Sequence, residues 1–438
     1  MKLLWNATFK WKKPLTTITE LHKTYGPLIE VKLGPRTTYF INDADLIKQI
    51  LQDNNRNYVK QPLNSVENPL MGKGLLTSEG DFWRRQRRLA QPAFHRQQID
   101  GFAKTMASAT HKRLNGWEKW AKSGRSFDLA DEMMMLTLDI VTRTLFGNAL
   151  TNEETATINR LMVPILHGTR RHVIRSRWIG EAPNLPANRR YVDQIRQLDE
   201  IINRLIAERK KQADLGSDLL GMLLSVRDEE TGEGMTDRQL RDEVMTLFMA
   251  GHETTANLMA WTWSLLGQHP AIEQGVRMEI ESQLGHRPPG LADMANLPYT
   301  QMVLKESMRL FPPAWMTVRS PLEDDSWYGE RLAAKSTVMI CIYALHRSPT
   351  YWRNPEEFDP TRFANPAAFT HRYAYIPFGG GPRLCIGKQF AMLEATIILA
   401  MMMQRYKVHP SPMAPAIVPE TAVTLRPKNG VWVQVTKR

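Results

Sequence analysis

Phe378-Gly379-Gly380-Gly381-Pro382-Arg383-Leu384-Cys385-Ile386-Gly387 stands directly before an apolar stretch, Lys388 to Tyr406, that reads as a helix. Three glycines and a proline impose a tight, preset loop. Its cysteine falls beside the helix N-terminus, where the dipole and free N–H groups favour a thiolate. Such a thiolate is a nucleophile or a metal ligand. A nucleophile needs a nearby base, and no histidine lies closer than His371. Arg383 suits a carboxylate. The plainer alternative is a turn around a buried cysteine. With two cysteines in 438 residues, a disulfide scaffold and a four-cysteine cluster are both excluded.

The length suggests two or three domains or one large helical one. Leu28 to Leu33 alternates in polarity and is followed by Gly34-Pro35 and Thr37 to Ile41, a hairpin pattern. From Asp43 to Leu284 the apolar spacing is mainly helical. Trp178 to Asn188 reads as a surface loop between helices, and His286 to Pro298 as a second breaker. A helix, Tyr299 to Phe311, stops at Pro312-Pro313. Thr337 to Tyr343 is the clearest later strand, with Cys341 buried in it. The run His346 to Leu384 is long and irregular, which inside a compact chain points to function. Strands return between Val418 and Val435. No repeat, low-complexity tract or linker interrupts the chain.

The apolar run Leu3 to Trp5 is too short for a signal peptide, so the Asn6-Ala7-Thr8 acceptor carries no weight. Thr246 to Gly267 has the length of a membrane span, but His252, Glu253, Thr254, Thr255 and Asn257 near its centre are too costly facing lipid. The expectation is a soluble, cytoplasmic protein. The 23 methionines read as core filler, and the 11 histidines form no metal-ligand pattern. His252 and His346 read as structural.

Ala250-Gly251-His252-Glu253-Thr254-Thr255 places a glycine and an acid inside an apolar helix, and each costs stability there. A structural polar network between helices is one reading. The other is a notch, with Gly251 omitting a side chain so that another group can approach the helix beside Glu253 and Thr254. Glu306 and Arg309, three apart, share one helix face. Trp83-Arg84-Arg85-Gln86-Arg87-Arg88 opens a helix whose Arg84, Arg85 and Arg88 read as a solvated face.

Together these segments resemble the cytochrome P-450 superfamily. Its pattern Phe-x-x-Gly-x-Arg-x-Cys-x-Gly is met by Phe378, Gly381, Arg383, Cys385 and Gly387, and Ala/Gly-Gly-x-Asp/Glu-Thr-Thr by Ala250 to Thr255. The resemblance implies a mainly α fold with small β-sheets and a haem b between the long central helix and the cysteine-loop helix. It implies one domain over 1–438, its β-rich part formed by about 26–42, 314–345 and 410–438. Cys385 would be the axial iron ligand, pushing electron density to the metal. Thr254 would hydrogen-bond the oxygen being activated, and Glu253 would relay protons through water. Arg383, Trp83 and Arg87 would serve the propionates, as would Arg319, ten residues after Arg309. Glu306 and Arg309 would pair with Arg362 of Pro360-Thr361-Arg362-Phe363, where Thr361 replaces a frequent Glu.

The implied activity is a monooxygenase inserting one atom of O2 into an apolar molecule, a fatty acid, terpenoid or steroid-like compound. A peroxide-driven enzyme or a haem sensor or carrier are the alternatives, and neither has use for the Glu253-Thr254 pair. The pocket would draw on Asn64 to Leu75, Phe248 to Thr254, Ala314 to Thr317 and the tail near Ala422. Ala250, Ala314 and Ala422 would leave room, and Trp315 and Met316 would form an apolar wall. No reductase module is recognised, so electrons would come from a separate ferredoxin or flavodoxin with its reductase, docked on Arg84, Arg88 and Lys388. The net charge of +12 otherwise invites nucleic acid or a membrane, but no nucleic-acid motif is present. Arg170, Arg171, Arg175 and Arg177 read as solvated, with at most peripheral membrane contact. A monomer is expected.

Overall fold

Residues 2–4, 13–33, 36–60, 69–147, 149–179, 186–365 and 370–438 are described by a computed structural model. The polar-centred apolar stretch is part of one 32-residue helix, Asp237–Gln268. Thr236 starts it with a reciprocal capping box to Gln239, satisfying two free N–H groups at the helix entrance. From Asp242 to Leu266 nearly every residue is buried, so neighbours must cover most of this helix. The cover comes from Leu129–Phe146, Pro186–Lys210, Pro298–Leu310 and the post-cysteine helix Lys388–Arg405. Their apolar faces form the main core. No helix among the described residues is long and apolar enough to cross a membrane.

The expected hairpin is present. Leu28–Leu33 pairs antiparallel with Arg36–Ile41 from Leu28↔Ile41 to Leu33↔Arg36. Its second strand runs parallel to Thr337–Ile340, which pairs in turn with Thr317–Pro321 and so brings the segment after the Pro312-Pro313 stop into the sheet. The outer members are Lys2–Leu4 and Tyr58–Val59. The tail does not join this sheet. Trp432–Lys437 pairs with Tyr406–Pro410 and with Phe127–Asp128, from the helical half of the sequence.

Several boundaries move. Helix Asn152–Ile179 runs into the expected loop and helix Pro186–Lys210 begins within it, because a proline at the first helical position loses no hydrogen bond. Residues 180–185, and the side chains of Arg170, Arg171, Arg175 and Arg177, lie outside what is described. The second breaker contains a tight turn, Leu291–Asn296. Strand Thr337–Ile340 gives way to a helical turn at Ile342, so Cys341 is buried just beyond the strand.

A buried ion cluster organises the irregular run. Arg309 donates to both oxygens of Glu306, at 2.7 and 2.8 Å, with neither side chain exposed. Its other N–H groups reach the carbonyls of His346, Pro355 and Glu357, and Arg362 lies 3.3 Å from the same Glu306 carboxylate. The Asp359 N–H also donates to Glu306. Thr361 instead bonds Asp359, two residues back. His346 adds a tie as its Nε2 accepts from the Ile376 N–H at 2.9 Å, and burial pushes its pKa down to about 3.

Candidate functional site

The cysteine loop closes on itself through Cys385 N–H to Phe378 O at 2.9 Å and Leu384 N–H to Gly381 O at 3.1 Å. Gly381 has φ +62°, and a Cβ there would overlap the Leu51 carbonyl, so only glycine fits. Its N–H donates to the Tyr373 hydroxyl, which donates to Gln52. Cys385 is solvent-accessible yet walled by protein. Burial pushes its thiol up, against the Gly387 N–H and the charges of Arg87 and Lys388. The expected thiolate preference is therefore outweighed in the chain alone, and a cation bound at sulfur would reverse it.

In the buried central helix, Leu247, Ala250, Gly251 and Thr254 retain exposure, with Ala250 the most open. Spaced by three, one and three residues, they form a single stripe facing free space. The Thr254 hydroxyl lies on that stripe and donates back to Ala250 O at 2.9 Å. Gly251 does not supply the expected notch. A Cβ there would sit 2.9 Å from Val141 Cγ2 of helix Leu129–Phe146, so the glycine answers to helix packing while Ala250 provides the opening. Glu253 points away into a buried network, accepting from Thr424 Oγ1 at 2.7 Å. Burial raises its pKa, while the Thr424 bond and the Arg426 charge lower it.

Four cations gather beside the loop. Arg383 pairs with Glu79, donates to Ser78 O, and lies 3.8 Å over the Trp83 ring. Arg319 is 7% exposed and bonds only Thr317 Oγ1 and Val318 O in the hydrogen bonds described. Arg87 is half-buried, within electrostatic reach of Cys385. Lys60 completes the group. It donates to Leu76 O, and burial with the charges of Arg383 and Arg319 pushes its pKa down to about 7. Glu79 is the acid that Arg383, Arg319 and Lys60 share. Buried positive charge in such excess is costly unless a polyanion completes it, and two carboxylates on an apolar plate would do so. Sequence reading missed Lys60 and Glu79, since neither belongs to a motif.

Other expected pocket residues divide. Ala314 is exposed and Met316 and Ala422 partly so. Phe248 is 1% exposed and packs against Phe146 and His252, on the far side of the helix from Ala250. Trp315 is also buried, in the sheet-side core, where its indole N–H holds Ala422 O at 3.3 Å. Phe248, expected in the pocket, and Trp315, expected in its wall beside Met316, are thus both buried. Residues 64–68 lie outside the described residues. Leu76, 48% exposed, was not anticipated.

The exposed cysteine, the open helix stripe and the cation cluster fit the haem that the sequence resemblance implies. The cytochrome P-450 family profile matches residues 1–433, and the chain belongs to that family. It is 37% identical over 414 residues to cyclooctatin synthase of Streptomyces melanosporofaciens, covering 94% of this chain and 89% of that one. Cyclooctat-9-en-7-ol 5-monooxygenase of the same organism is 33% identical, with 94% and 88% covered. Pentalenene oxygenase of Streptomyces avermitilis is 31% identical, with 92% and 88% covered. The crystal structure of a mutant cytochrome P-450DA haem domain superposes with a TM-score of 0.87 at 27% identity, over 97% of this chain and 93% of that one. The protein is a cytochrome P-450 monooxygenase, an oxidoreductase using haem and O2.

Proposed function

We propose that this single-domain enzyme hydroxylates a terpenoid, and that Cys385 would bind the iron of haem b while Arg87, Arg319, Arg383, Trp83 and Lys60 would hold its carboxylates. When bound, the haem supplies the oxidant that inserts one oxygen atom from O2, using two electrons. Cys385 would hold the metal from a loop whose close approach to Leu51 only glycine at 381 allows. Thr254 presents its hydroxyl from the open stripe, and Glu253 holds a proton at Oε1 or Oε2 for transfer through water. Ala250, Ala314 and Ala422 leave volume for a bulky apolar skeleton, with Met316 at its edge. The observation that carries this is the stripe Leu247-Ala250-Gly251-Thr254, open in a helical segment, Asp242 to Leu266, that is otherwise buried.

Terpenoid is favoured over fatty acid or steroid because two relatives act, by their names, on pentalenene and cyclooctat-9-en-7-ol. Ferrous protein with carbon monoxide should show the red-shifted Soret band of a thiolate ligand, and Cys385→Ala should lose it. Incubation of both compounds with the enzyme and surrogate electron donors should give products one oxygen heavier. A histidine-type spectrum sinks the cofactor assignment; intact spectra with no product from either compound sink the substrate class.

For the electron donor, a cavity of about 850 Å³ lies behind the cysteine loop, lined by Gly379 to Pro382, Met392 and Tyr375. Arg96, Lys305, Arg372 and Lys388 surround it with no acid among its lining residues. This suits an acidic ferredoxin or flavodoxin. Two of the expected docking residues are engaged elsewhere, Arg88 by Asp228 and Glu230 and Arg84 by Asp81. Charge reversal at Lys388 and Arg372 should slow reduction and weaken its salt dependence. Unchanged rates would remove this face from consideration.

A further inference from the structure

Three consecutive residues of the central helix hold one loop. Arg241 donates to Pro69 O at 3.0 Å, Asp242 Oδ2 accepts from Lys73 N–H at 2.8 Å, and Glu243 Oε2 accepts from Leu75 N–H at 3.0 Å. Consecutive helical residues point about 100° apart. The loop is therefore wound around the helix, not laid along it. The approach is close enough that a Cβ at Gly72 would overlap the Asp242 carboxylate and one at Gly74 the Thr246 hydroxyl.

Glu243 has the widest reach of the three. It has no exposed surface, and its Oε1 accepts from Gln86 Nε2 at 3.2 Å. Gln86 lies on helix Gly80–Ala90, which carries Trp83 and Arg87. One carboxyl group thus joins the central helix, the loop and the helix of the cation cluster. Past Leu75, buried toward the helix, the loop turns Leu76 outward, and the Leu76 carbonyl is held by Lys60 of that cluster. Leu76 therefore stands between the anchor and the cations with an exposed side chain, two residues past Gly74, whose Cβ would meet Thr246 beside Leu247 of the open stripe.

We propose that Glu243 is a positioning residue for substrate: by fixing the Leu75 N–H and Gln86 together, it sets how far Leu76 reaches over the site and so how tightly an apolar substrate is held. This rests on the monooxygenase reading for its substrate, but not for its loop geometry. Arg241 and Asp242 fix the start of the loop, whereas Glu243 is the last tie before Leu76. Glutamine at 243 keeps an oxygen for Leu75 and offers an N–H to Gln86 Oε1, which has no hydrogen-bond partner.

Hydrogen exchange on the full-length haem-loaded protein, with spectral titration by pentalenene or cyclooctat-9-en-7-ol, whichever shifts the wild-type Soret band, tests it. Leaving the buried Leu75 N–H without its acceptor should speed exchange in the peptide covering Leu70 to Thr77 about tenfold or more in Glu243→Ala, with a similar loss of probe affinity. Glu243→Gln should stay within about threefold on both readings. If Glu243→Ala does not accumulate, Glu243→Met keeps the volume, accepts nothing and should behave as alanine. Unchanged exchange in the alanine or methionine variant overturns the proposal, as does faster exchange with unaltered affinity. The carbon monoxide band reports the cofactor assignment separately, and the exchange reading stands whichever way it falls.

Discussion

The Thr424 hydroxyl donates to Glu253 Oε1 at 2.7 Å across 171 positions of sequence, and Asn257 Nδ2 donates to Thr424 Oγ1 at 2.9 Å. The acid of the oxygen motif is thus tied to the turn between strands Pro419–Thr421 and Leu425–Pro427. That bond opposes the burial that raises the Glu253 pKa.

Thr424→Val removes the donor, and the Glu253 pKa should rise further. If Glu253 must ionise before accepting the next proton, the acidic limb of the pH–rate profile moves to higher pH while the carbon monoxide band is kept. A limb that stays in place removes Glu253 from the proton path.

Gly251→Ala separates packing from cofactor access. A Cβ there meets Val141 Cγ2 at 2.9 Å, and overpacking of this kind costs about 1–3 kcal/mol. Val141→Ala should restore most of that loss in the double variant. Urea unfolding of the four proteins gives the coupling. Purely additive effects would return the glycine to the role of a notch.

Glu306 holds two arginines, with its own side chain and that of Arg309 fully buried. Glu306→Ala leaves Arg309 buried and uncompensated, which costs about 3–5 kcal/mol. Glu306→Gln keeps an acceptor and should lose less. Chemical unfolding with a tryptophan signal would measure both, and equal small losses would make the cluster a surface-like pair.

What could be read from sequence was local. The cysteine loop declared itself because Gly379, Gly380, Gly381 and Pro382 dictate backbone geometry whatever surrounds them. The stripe was half legible. Helical spacing puts Ala250 and Thr254 together, but only the neighbour Val141 reveals why Gly251 is glycine. Arg383 was recognised, whereas Glu79, 304 positions earlier, was not, because ion pairs of that separation exist only in the folded chain. Lys60 carried no signal at all. Trp178 to Asn188 misled since proline stops a helix in its middle but begins one readily, as Pro186 does.

Glu394, on the helix behind the cysteine, is fully buried, and among the described residues only the Thr255 hydroxyl approaches its carboxyl as a donor, outside good hydrogen-bond geometry. Burial pushes its carboxyl up to about 8, against a weak pull from the Thr255 hydroxyl. Between the usual glutamate range near 4.5 and about 8, the folded chain holds a proton that the unfolded chain has released. Stability must then fall as pH rises through that window. Glu394→Gln cannot titrate, so its stability relative to wild type should grow from about pH 5 to about pH 8 and then level off. His252 and His346 are pushed down by burial and impose an acid-side loss below the usual histidine range, but they do so equally in both proteins and cancel from the difference. Urea unfolding of the pair across this range decides the matter: a difference independent of pH would mean that Glu394 is ionised in the fold and has found a partner.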